Sequence, residues 1–176
     1  IVVDIPVVAD AKVAIEAMLE RMQPLDTDAW LQTIKEWKEN YPIQIKRESL
    51  NPQHVMNYIN ENFDDCIVST DVGQNQLWTT QFYDITAHKQ LLTSGGLGTM
   101  GYGIPSAIGA QFAYPDRYVI SINGDGGVQM NIQELATAVV YGLPVIICVF
   151  NNGYLGNVRQ WQEMFFNSRF SQTPMI

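Results

Sequence analysis

Hydrophobic residues recur at helical spacing in the first fifty residues and predict two helices there. The first helix follows a strand end at residues 1–8 and is capped by Asp10; its apolar face consists of Val13, Ala14, Ala17, Met18 and Met22. The second covers residues 28–40 behind Thr27 and repeats apolar side chains at Trp30, Ile34 and Trp37. Residues 41–50 are polar and are expected to form an extended linker, so we place a domain boundary near residue 50.

Short apolar runs alternate with helical segments in the rest of the chain. Asn51-Pro52 predicts the start of a helix that ends near Asn62. The apolar runs predict strands at residues 66–70, 118–122 and 144–150, with helices at about 101–113 and at 131–141, the latter opened by a capping box of Asn131 and Glu134. Apolar strands separated by helices indicate an α/β fold whose parallel sheet is covered on both faces. Ligands bind such a sheet at the carboxyl ends of its strands.

Composition and charge narrow the classes of partner. The formal net charge is -8 and the ten Lys and Arg residues are scattered, which argues against a nucleic-acid partner. The sequence contains no apolar run long enough to span a membrane and no signal-peptide pattern, so we expect neither a membrane span nor a signal peptide. Cys66 and Cys148 lie in apolar runs and are expected to be buried free thiols, which suits a reducing compartment. Because the chain starts without Met and in an apolar run, we expect it to be part of a longer protein.

One carboxylate stands among glycines directly after the second predicted strand, in the stretch INGDGGVQMN of residues 122–131. One crossover later, Asn151-Asn152 follows the third strand. If these strands are neighbours, their ends are about 5 Å apart and Asp125 and Asn152 can hold one ion. Carboxylate and amide oxygens suit Mg²⁺ or Ca²⁺. Since Gly126 and Gly127 let backbone N–H groups approach an anion, the stretch predicts a site where a metal meets phosphate.

Three other interpretations of the glycine-rich stretches compete with the metal–phosphate site. An ordinary strand-to-helix turn explains residues 122–131 if they are considered alone. An EF-hand fails because no further acid follows Asp125 until Glu134. Residues 96–101 match the G-x-G-x-x-G pattern of dinucleotide sites, with Asp116 twenty residues beyond Gly96. Residues 88–95 look like a poor strand, however, and Asp116 sits in a turn, which disfavours dinucleotide binding.

Four motifs together resemble a known enzyme family. They are GDG followed by NN, TDVGQNQLW at residues 70–78, SGGLGTMGYGIP at 94–105, and NGYLGNVRQWQ at 152–162. In their order along the chain they resemble the catalytic subunit of acetohydroxyacid synthase (acetolactate synthase), a thiamine diphosphate enzyme. The resemblance implies a three-layer thiamine diphosphate-binding α/β fold, incomplete at its C-terminus. It also implies that residues 1–23 are the tail of a middle, flavin-type domain, 24–50 a helix and linker, and 51–176 the truncated C-terminal thiamine diphosphate/Mg-binding domain.

The resemblance also implies roles for individual residues. The metal ligands are the side chains of Asp125 and Asn152 and the backbone carbonyl of Tyr154. Met100 would support the cofactor in its bent conformation and also line the substrate pocket, which Trp161 would shape for the second ketoacid. The expected cofactor-binding residues are Val72, Gly73, Gln74, Asn75, Gly98, Met100, Asp125, Gly126, Gly127, Asn152, Tyr154 and Gly156. The chain departs from many members at Asn75, where His is common, and at Gly127 and Gly153.

The activity implied is decarboxylation of pyruvate and its condensation with a second 2-ketoacid, in branched-chain amino-acid biosynthesis. Thiamine diphosphate and Mg²⁺ are the expected cofactors, with FAD in the full-length protein. A homodimer or larger homo-oligomer, a small regulatory subunit, and a cytoplasmic or, in a eukaryote, organellar location are expected. Because the family's activating glutamate lies in an N-terminal domain, the isolated chain is expected to be inactive. The alternatives are another thiamine diphosphate enzyme (pyruvate oxidase, glyoxylate carboligase or a decarboxylase) and a Mg²⁺/nucleotide-binding module without thiamine.

Overall fold

The computed structural model describes residues 2–43, 49–86 and 88–175, which leaves the middle of the expected linker, residues 44–48, outside the described part. The chain forms two compact units, Ile1–Ile45 and Lys46–Ile176. The assignment of residues 1–23 to a flavin-type domain stays a prediction.

The first unit contains helices α1 (Ala11–Leu19) and α2 (Asp28–Asn40). Asp10 caps α1 as predicted, since its Oδ1 accepts hydrogen bonds from the backbone N–H groups of Lys12 and Val13 at 3.0 and 3.3 Å. The predicted strand end is wrong, because residues 2–10 are irregular, and Met22 lies beyond the end of α1. Neither helix has a buried residue within this unit.

The second unit is built on a parallel sheet of four strands, which confirms the predicted α/β class. The strands are β1 (Cys66–Thr70), β2 (Gln90–Thr93), β3 (Tyr118–Gly124) and β4 (Ile146–Phe150), in the spatial order β2-β1-β3-β4. The helices are α3 (Pro52–Asn62), α4 (Gln74–Phe82), α5 (Gly103–Ala113), α6 (Asp125–Met130), α7 (Leu135–Val140) and α8 (Gly156–Phe165). No helix in the described ranges combines the length and hydrophobicity that crossing a membrane requires.

Hydrophobic side chains pack on both faces of the sheet, which gives the three layers expected. Successive residues of a strand point to opposite faces, so Cys66 and Val68 join Met56 of α3 in one cluster. Ile67 points the other way and packs with Ala107 of α5 in the second cluster. The two central strands are therefore buried almost completely, and the loops at their ends are held by a rigid support.

The structure corrects the prediction around residue 131. The helix nearest the glycines begins at Asp125 itself, and a 3-10 turn (Ile132–Glu134) separates it from α7. The capping box does not form, because the Asn131 amide donates a hydrogen bond to the carbonyl of Gly101 at 2.7 Å. The Asn131 side chain, which the local pattern assigned to a helix start, is thus hydrogen-bonded to a residue thirty positions away.

Four further elements differ from the prediction. Residues 90–93 are a strand after all, although the sequence around them suggests a poor one; β2 is an edge strand with partly exposed side chains, so its hydrophobic pattern is weak. Helices α4 and α8 were not predicted. Helix α5 starts at Gly103 and not at 101, because Gly101 has a φ of 88° and belongs to the preceding loop.

The two cysteines are free, and they differ in burial. Cys66 is fully buried, as predicted, whereas Cys148 is only half-buried. Burial raises the pKa of both thiols above the ordinary value of 9.0.

Candidate functional site

The loops that follow three strands meet at one edge of the sheet. Thr70 of β1 is paired with Ile122 of β3, and Gly124 of β3 with Phe150 of β4. The condition set for the metal pair, that their strands are neighbours, is therefore met. A pocket opens between these loops and is lined by Val72, Gly73, Gln74, Asn75, Trp78, Met100, Gly124, Asp125, Gly126, Gly127, Phe150, Asn152, Tyr154, Leu155, Gly156, Asn157 and Val158.

Asp125 and Asn152 converge on one turn of the chain. The Asp125 Oδ2 accepts a hydrogen bond from the backbone N–H of Gly153 at 3.0 Å. The Asn152 Oδ1 accepts from the N–H of Tyr154 at 2.9 Å, and its Nδ2 donates to the Gln74 Oε1 at 3.2 Å. These bonds fix both predicted side chains beside the backbone of Tyr154, the third predicted donor.

The donor set suits a hard divalent cation. Asp125 Oδ1 and, among the described residues, the Tyr154 carbonyl accept no hydrogen bond, and the Asn152 Oδ1 keeps one lone pair. Three oxygens with free acceptor capacity are what Mg²⁺ takes from a protein when water and phosphate complete its shell. No group of three His, Cys, Asp or Glu side chains in the described ranges could hold a metal.

Two glycines let the loops of the site approach each other. A Cβ on Gly126 would lie 3.1 Å from the Leu155 Cδ2 and 3.4 Å from the Met100 Cε. A Cβ on Gly156 would collide with the Gln74 Oε1 and lie 2.7 Å from the Asn152 Nδ2. A side chain at residue 156 would therefore displace Gln74 and Asn152, and one at residue 126 would shift Leu155 by a few tenths of an ångström.

A buried aspartate that the sequence reasoning missed organises the pocket. Asp71 is 1% exposed, and its Oδ1 accepts from the N–H groups of Val72 and Gly101 at 2.8 and 3.1 Å. Its Oδ2 accepts from the N–H of Gly103 at 2.8 Å. A Cβ on Gly127 would collide with the same carboxylate. One side chain thus joins the loop after β1, the glycine-rich loop before α5 and helix α6. Its position directly after a buried strand is the signal that could have identified it.

Asn75 does not offer its amide nitrogen to the pocket. The side chain is 3% exposed, and its Nδ2 donates to the carbonyls of Asp71 and Ile122 at 2.9 and 3.3 Å. Its Oδ1 would be 3.1 Å from a Cβ on Gly73. Asn75 therefore fixes the ends of β1 and β3 beneath the pocket, and its nitrogen is not free for a phosphate.

The pocket gathers eleven of the twelve predicted cofactor residues; Gly98 lies outside it, as does Trp161, which was expected to line the substrate pocket. Gly98 has a φ of 66° in the glycine-rich loop, where a Cβ would lie 3.9 Å from the Val72 Cγ1. Trp161 lies on α8, is 58% exposed and packs edge-on against Phe165 with ring centroids 6.4 Å apart. Their cofactor and substrate roles stay predictions.

Asn157 also lines the pocket, and the sequence did not indicate it. Its Oδ1 is buried and finds no hydrogen-bond partner among the described residues. Trp78 and Phe150 form an edge-on aromatic pair across the same pocket, with centroids 5.5 Å apart. The pocket therefore combines an aromatic wall with amide and carboxylate oxygens.

The topology gives a new reason against a dinucleotide site. A strand, β2, does precede the G-x-G-x-x-G segment, contrary to expectation. It is separated from β3 by β1, so the two strands are not the neighbouring pair of a dinucleotide-binding unit. Asp116 precedes β3 and therefore lies at the opposite edge of the sheet from the pocket.

Comparison with known proteins places the site in a family. Residues 71–175 match the family model for the thiamine pyrophosphate enzyme, C-terminal TPP binding domain. The acetolactate synthase large subunit of Parasynechococcus marenigrum (strain WH8102) is 44% identical over 92% of this chain and 26% of the relative. The probable acetolactate synthase large subunit of Methanocaldococcus jannaschii is 43% identical over 98% of this chain and 31% of the relative.

The acetolactate synthase isozyme 3 large subunit of Escherichia coli (strain K12) is 41% identical over 98% of this chain and 32% of the relative. The chain therefore spans between 26% and 32% of the length of these relatives. The matched segment begins at the buried Asp71 and contains every loop of the pocket. The chain belongs to the thiamine pyrophosphate enzyme family and carries its C-terminal cofactor-binding domain.

Proposed function

We propose that this chain is the part of an acetohydroxyacid synthase that anchors thiamine diphosphate through Mg²⁺. The observation that carries the proposal is the convergence of Asp125, Asn152 and Tyr154 at the ends of two neighbouring strands. The relatives named above are acetolactate synthase large subunits, which supports this reaction over that of other thiamine enzymes.

The residues of this chain bind and orient. Asp125, Asn152 and the Tyr154 carbonyl would hold the ion, which in turn would hold the diphosphate. The first residues of α6 and α8 line the same pocket, and the start of a helix favours a negative charge. Thiamine diphosphate, when bound, supplies the carbon nucleophile of ketoacid decarboxylation and condensation. The protein's contribution is to hold that carbon in one place relative to the ketoacid.

The remaining functional expectations form part of the same proposal. The substrates are pyruvate and a second 2-ketoacid, the working form is a homodimer or larger assembly, and FAD binds elsewhere in the protein. By the family resemblance, the activating glutamate belongs to another domain. We therefore propose that the 176 residues alone make no acetolactate. Formation of acetolactate from pyruvate by the isolated chain with thiamine diphosphate and Mg²⁺ would contradict this.

Calorimetry on the protein that carries this chain tests the anchor. Thiamine diphosphate should bind only when Mg²⁺ is present, and Asp125→Ala should abolish this binding because it removes the only carboxylate predicted to ligate the ion. Asp116→Ala is the matched control, since Asp116 is an exposed aspartate at the opposite edge of the sheet. Binding of ATP in place of thiamine diphosphate would favour the non-thiamine alternative, and product analysis with pyruvate separates the synthase from an oxidase or decarboxylase.

A further inference from the structure

A short segment near the end of the described chain pairs with the predicted metal loop. We call residues 170–175 the strap. The N–H of Leu155 donates to the carbonyl of Thr173 at 2.8 Å, and the N–H of Met175 donates to the carbonyl of Gly153 at 2.8 Å. Between these two bonds, Tyr154 and Pro174 form an antiparallel bridge. Thr173 is completely buried, so the strap packs against the loop it pairs with.

The register of this bridge determines where the Tyr154 backbone points. In an antiparallel pair, opposed residues alternate between a hydrogen-bonded and a non-hydrogen-bonded arrangement. The bonds run from the neighbours of Tyr154 to the neighbours of Pro174, so these two residues form a non-hydrogen-bonded pair. The N–H and C=O of Tyr154 therefore point away from the strap. The N–H is held by the Asn152 Oδ1 at 2.9 Å, so the carbonyl is turned towards the side of the loop where Asn152 lies.

Pro174 occupies a position of the bridge where its missing N–H removes no hydrogen bond. Pro174 opposes Tyr154 in the non-hydrogen-bonded pair, where neither residue donates across the bridge. A proline at Met175 would instead remove the donor to the Gly153 carbonyl. A proline is therefore compatible with the bridge at residue 174 and incompatible with it at residue 175.

Helix α8 holds the strap in place from outside. The Gln162 amide makes two bonds with the backbone of Ser171: its Nε2 donates to the carbonyl at 3.0 Å, and its Oε1 accepts from the N–H at 3.1 Å. The Arg159 guanidinium lies over the Phe170 ring at 3.9 Å and over the Tyr154 ring at 4.3 Å. Arg159 therefore links the strap directly to the metal loop.

We infer that the strap is a positioning element for the metal site: by pairing with residues 153–155 it directs the Tyr154 carbonyl to the ion. This inference rests on the proposed function. In this role the strap does not need to contact the cofactor. By thermodynamic reciprocity, a strap that favours metal binding is itself stabilised when the metal binds.

The test measures Mn²⁺ binding by electron paramagnetic resonance in the protein that carries this chain, with thiamine diphosphate present. Met175→Ala removes the side chain and keeps the N–H, whereas Met175→Pro removes the N–H as well. We expect Met175→Pro to raise the Kd for Mn²⁺ about tenfold or more relative to Met175→Ala, as loss of an orienting contact does in other metal sites. Asp116→Ala, which lies outside the strap and at the opposite edge of the sheet, should leave the Kd unchanged.

Loss of general structure would give a different pattern. A positioning defect weakens metal affinity but leaves thiamine diphosphate affinity near normal once Mn²⁺ is saturating; damage to the whole pocket lowers both. If Met175→Pro does not fold, Gln162→Ala loosens the strap more gently through Ser171 and should raise the Kd for Mn²⁺ by a smaller factor. An equal Kd in Met175→Ala and Met175→Pro, or in Gln162→Ala and the unmodified protein, overturns the inference.

A second measurement needs no variant. Hydrogen exchange at the Leu155 and Met175 amides should slow when Mg²⁺ and thiamine diphosphate are added together. Unchanged exchange at both amides overturns the inference. The proposed function fails separately: Asp125→Ala would then bind Mn²⁺ as the unmodified protein does, or neither would bind it. If Asp125→Ala abolishes binding while Met175→Pro leaves it intact, only the role of the strap is wrong.

Discussion

The two ends of strand β1 carry buried polar groups that serve different purposes. At the amino end, the buried Cys66 Sγ and Tyr83 hydroxyl are 3.2 Å apart, and the partly buried Arg117 pairs with the exposed Asp65 at 2.7 Å. At the carboxyl end, Asp71 holds three backbone N–H groups and the pocket beyond it contains oxygens that accept no hydrogen bond from the described residues. The first end joins elements to one another, whereas the second also leaves polar atoms for a ligand. Variants at the two ends should therefore separate stability from binding.

The largest effect is expected from Asp71→Ala. The buried N–H groups of Gly101 and Gly103 and the part-buried N–H of Val72 lose their acceptor. Because an unsatisfied buried donor costs about 1–3 kcal/mol, the free energy of unfolding should fall by about 3 kcal/mol or more. The loops it joins should also lose the arrangement that binds Mg²⁺ and thiamine diphosphate. Urea unfolding and calorimetry measure the two effects.

Asp71→Asn is the informative companion, since it keeps the volume and one oxygen of the carboxylate. It should recover part of the stability and little of the binding, because its NH₂ faces an N–H donor. If Asp71→Ala unfolds like the unmodified protein, Asp71 is not the organising residue described here.

Gly156→Ala should affect binding more than stability. The added Cβ meets the Gln74 Oε1 and the Asn152 Nδ2, and a long glutamine side chain can move at a cost of about 1 kcal/mol or less, below the range for overpacking a rigid core. Moving either amide disturbs the Asn152 oxygen, so the Kd for Mg²⁺ in the presence of thiamine diphosphate should rise about tenfold.

Gly109→Ala is the control for this change, because a Cβ there has no neighbour within 4 Å and the residue lies in helix α5. It should stabilise the protein by about 0.5–1 kcal/mol and leave binding unchanged. Equal Mg²⁺ affinity in Gly156→Ala and Gly109→Ala would show that the close approach of α8 to Gln74 is not required.

The sequence predicts the carboxyl end of the sheet better than the rest of the fold, for a physical reason. Strand β1 is buried on both faces, so its apolar run marks it without help from the rest of the chain. Asp125 and Asn152 then follow from the rule that neighbouring parallel strands end at the same edge. Strand β2 gives no such signal, because an edge strand is partly exposed and its side chains need not be apolar.

The details that escaped prediction depend on contacts between residues distant in sequence. Asn131 matches the sequence pattern of a helix cap, but in the structure its amide donates a hydrogen bond to the Gly101 carbonyl. Asp71 matches the pattern of a turn residue, but in the structure its carboxylate accepts a hydrogen bond from the N–H of Gly103. The pairing of the strap with residues 153–155 leaves no pattern in the sequence, because its hydrogen bonds join backbone groups that any residue but proline could supply. Such contacts can be recognised only when the packing of the loops is known.

At the amino end, Tyr83→Phe should lower stability without affecting the pocket. The Tyr83 hydroxyl is buried and lies 3.2 Å from the Cys66 Sγ and 3.3 Å from the Cys66 carbonyl. Its removal should cost about 1 kcal/mol of the free energy of unfolding. The Kd for Mg²⁺ with thiamine diphosphate should not change, because the residue lies at the opposite end of β1. A loss of binding comparable to that of Gly156→Ala would show that the two ends are coupled.

The smallest effect concerns pH and separates the contributions of Cys66 and Tyr83. Burial, followed by the contact with Cys66, raises the pKa of Tyr83 above its ordinary 10.0, and burial raises that of Cys66 above 9.0. Both groups therefore keep their protons more firmly when folded, so their contribution is complete below pH 9 and is lost as the pH rises further. Urea unfolding between about pH 8 and about pH 10.5 should show this decline. Cys66→Ala should reduce its earlier part, to which Cys148 also contributes, and Tyr83→Phe should remove its later part. Equal slopes in all three proteins would mean that neither Cys66 nor Tyr83 titrates differently in the folded state.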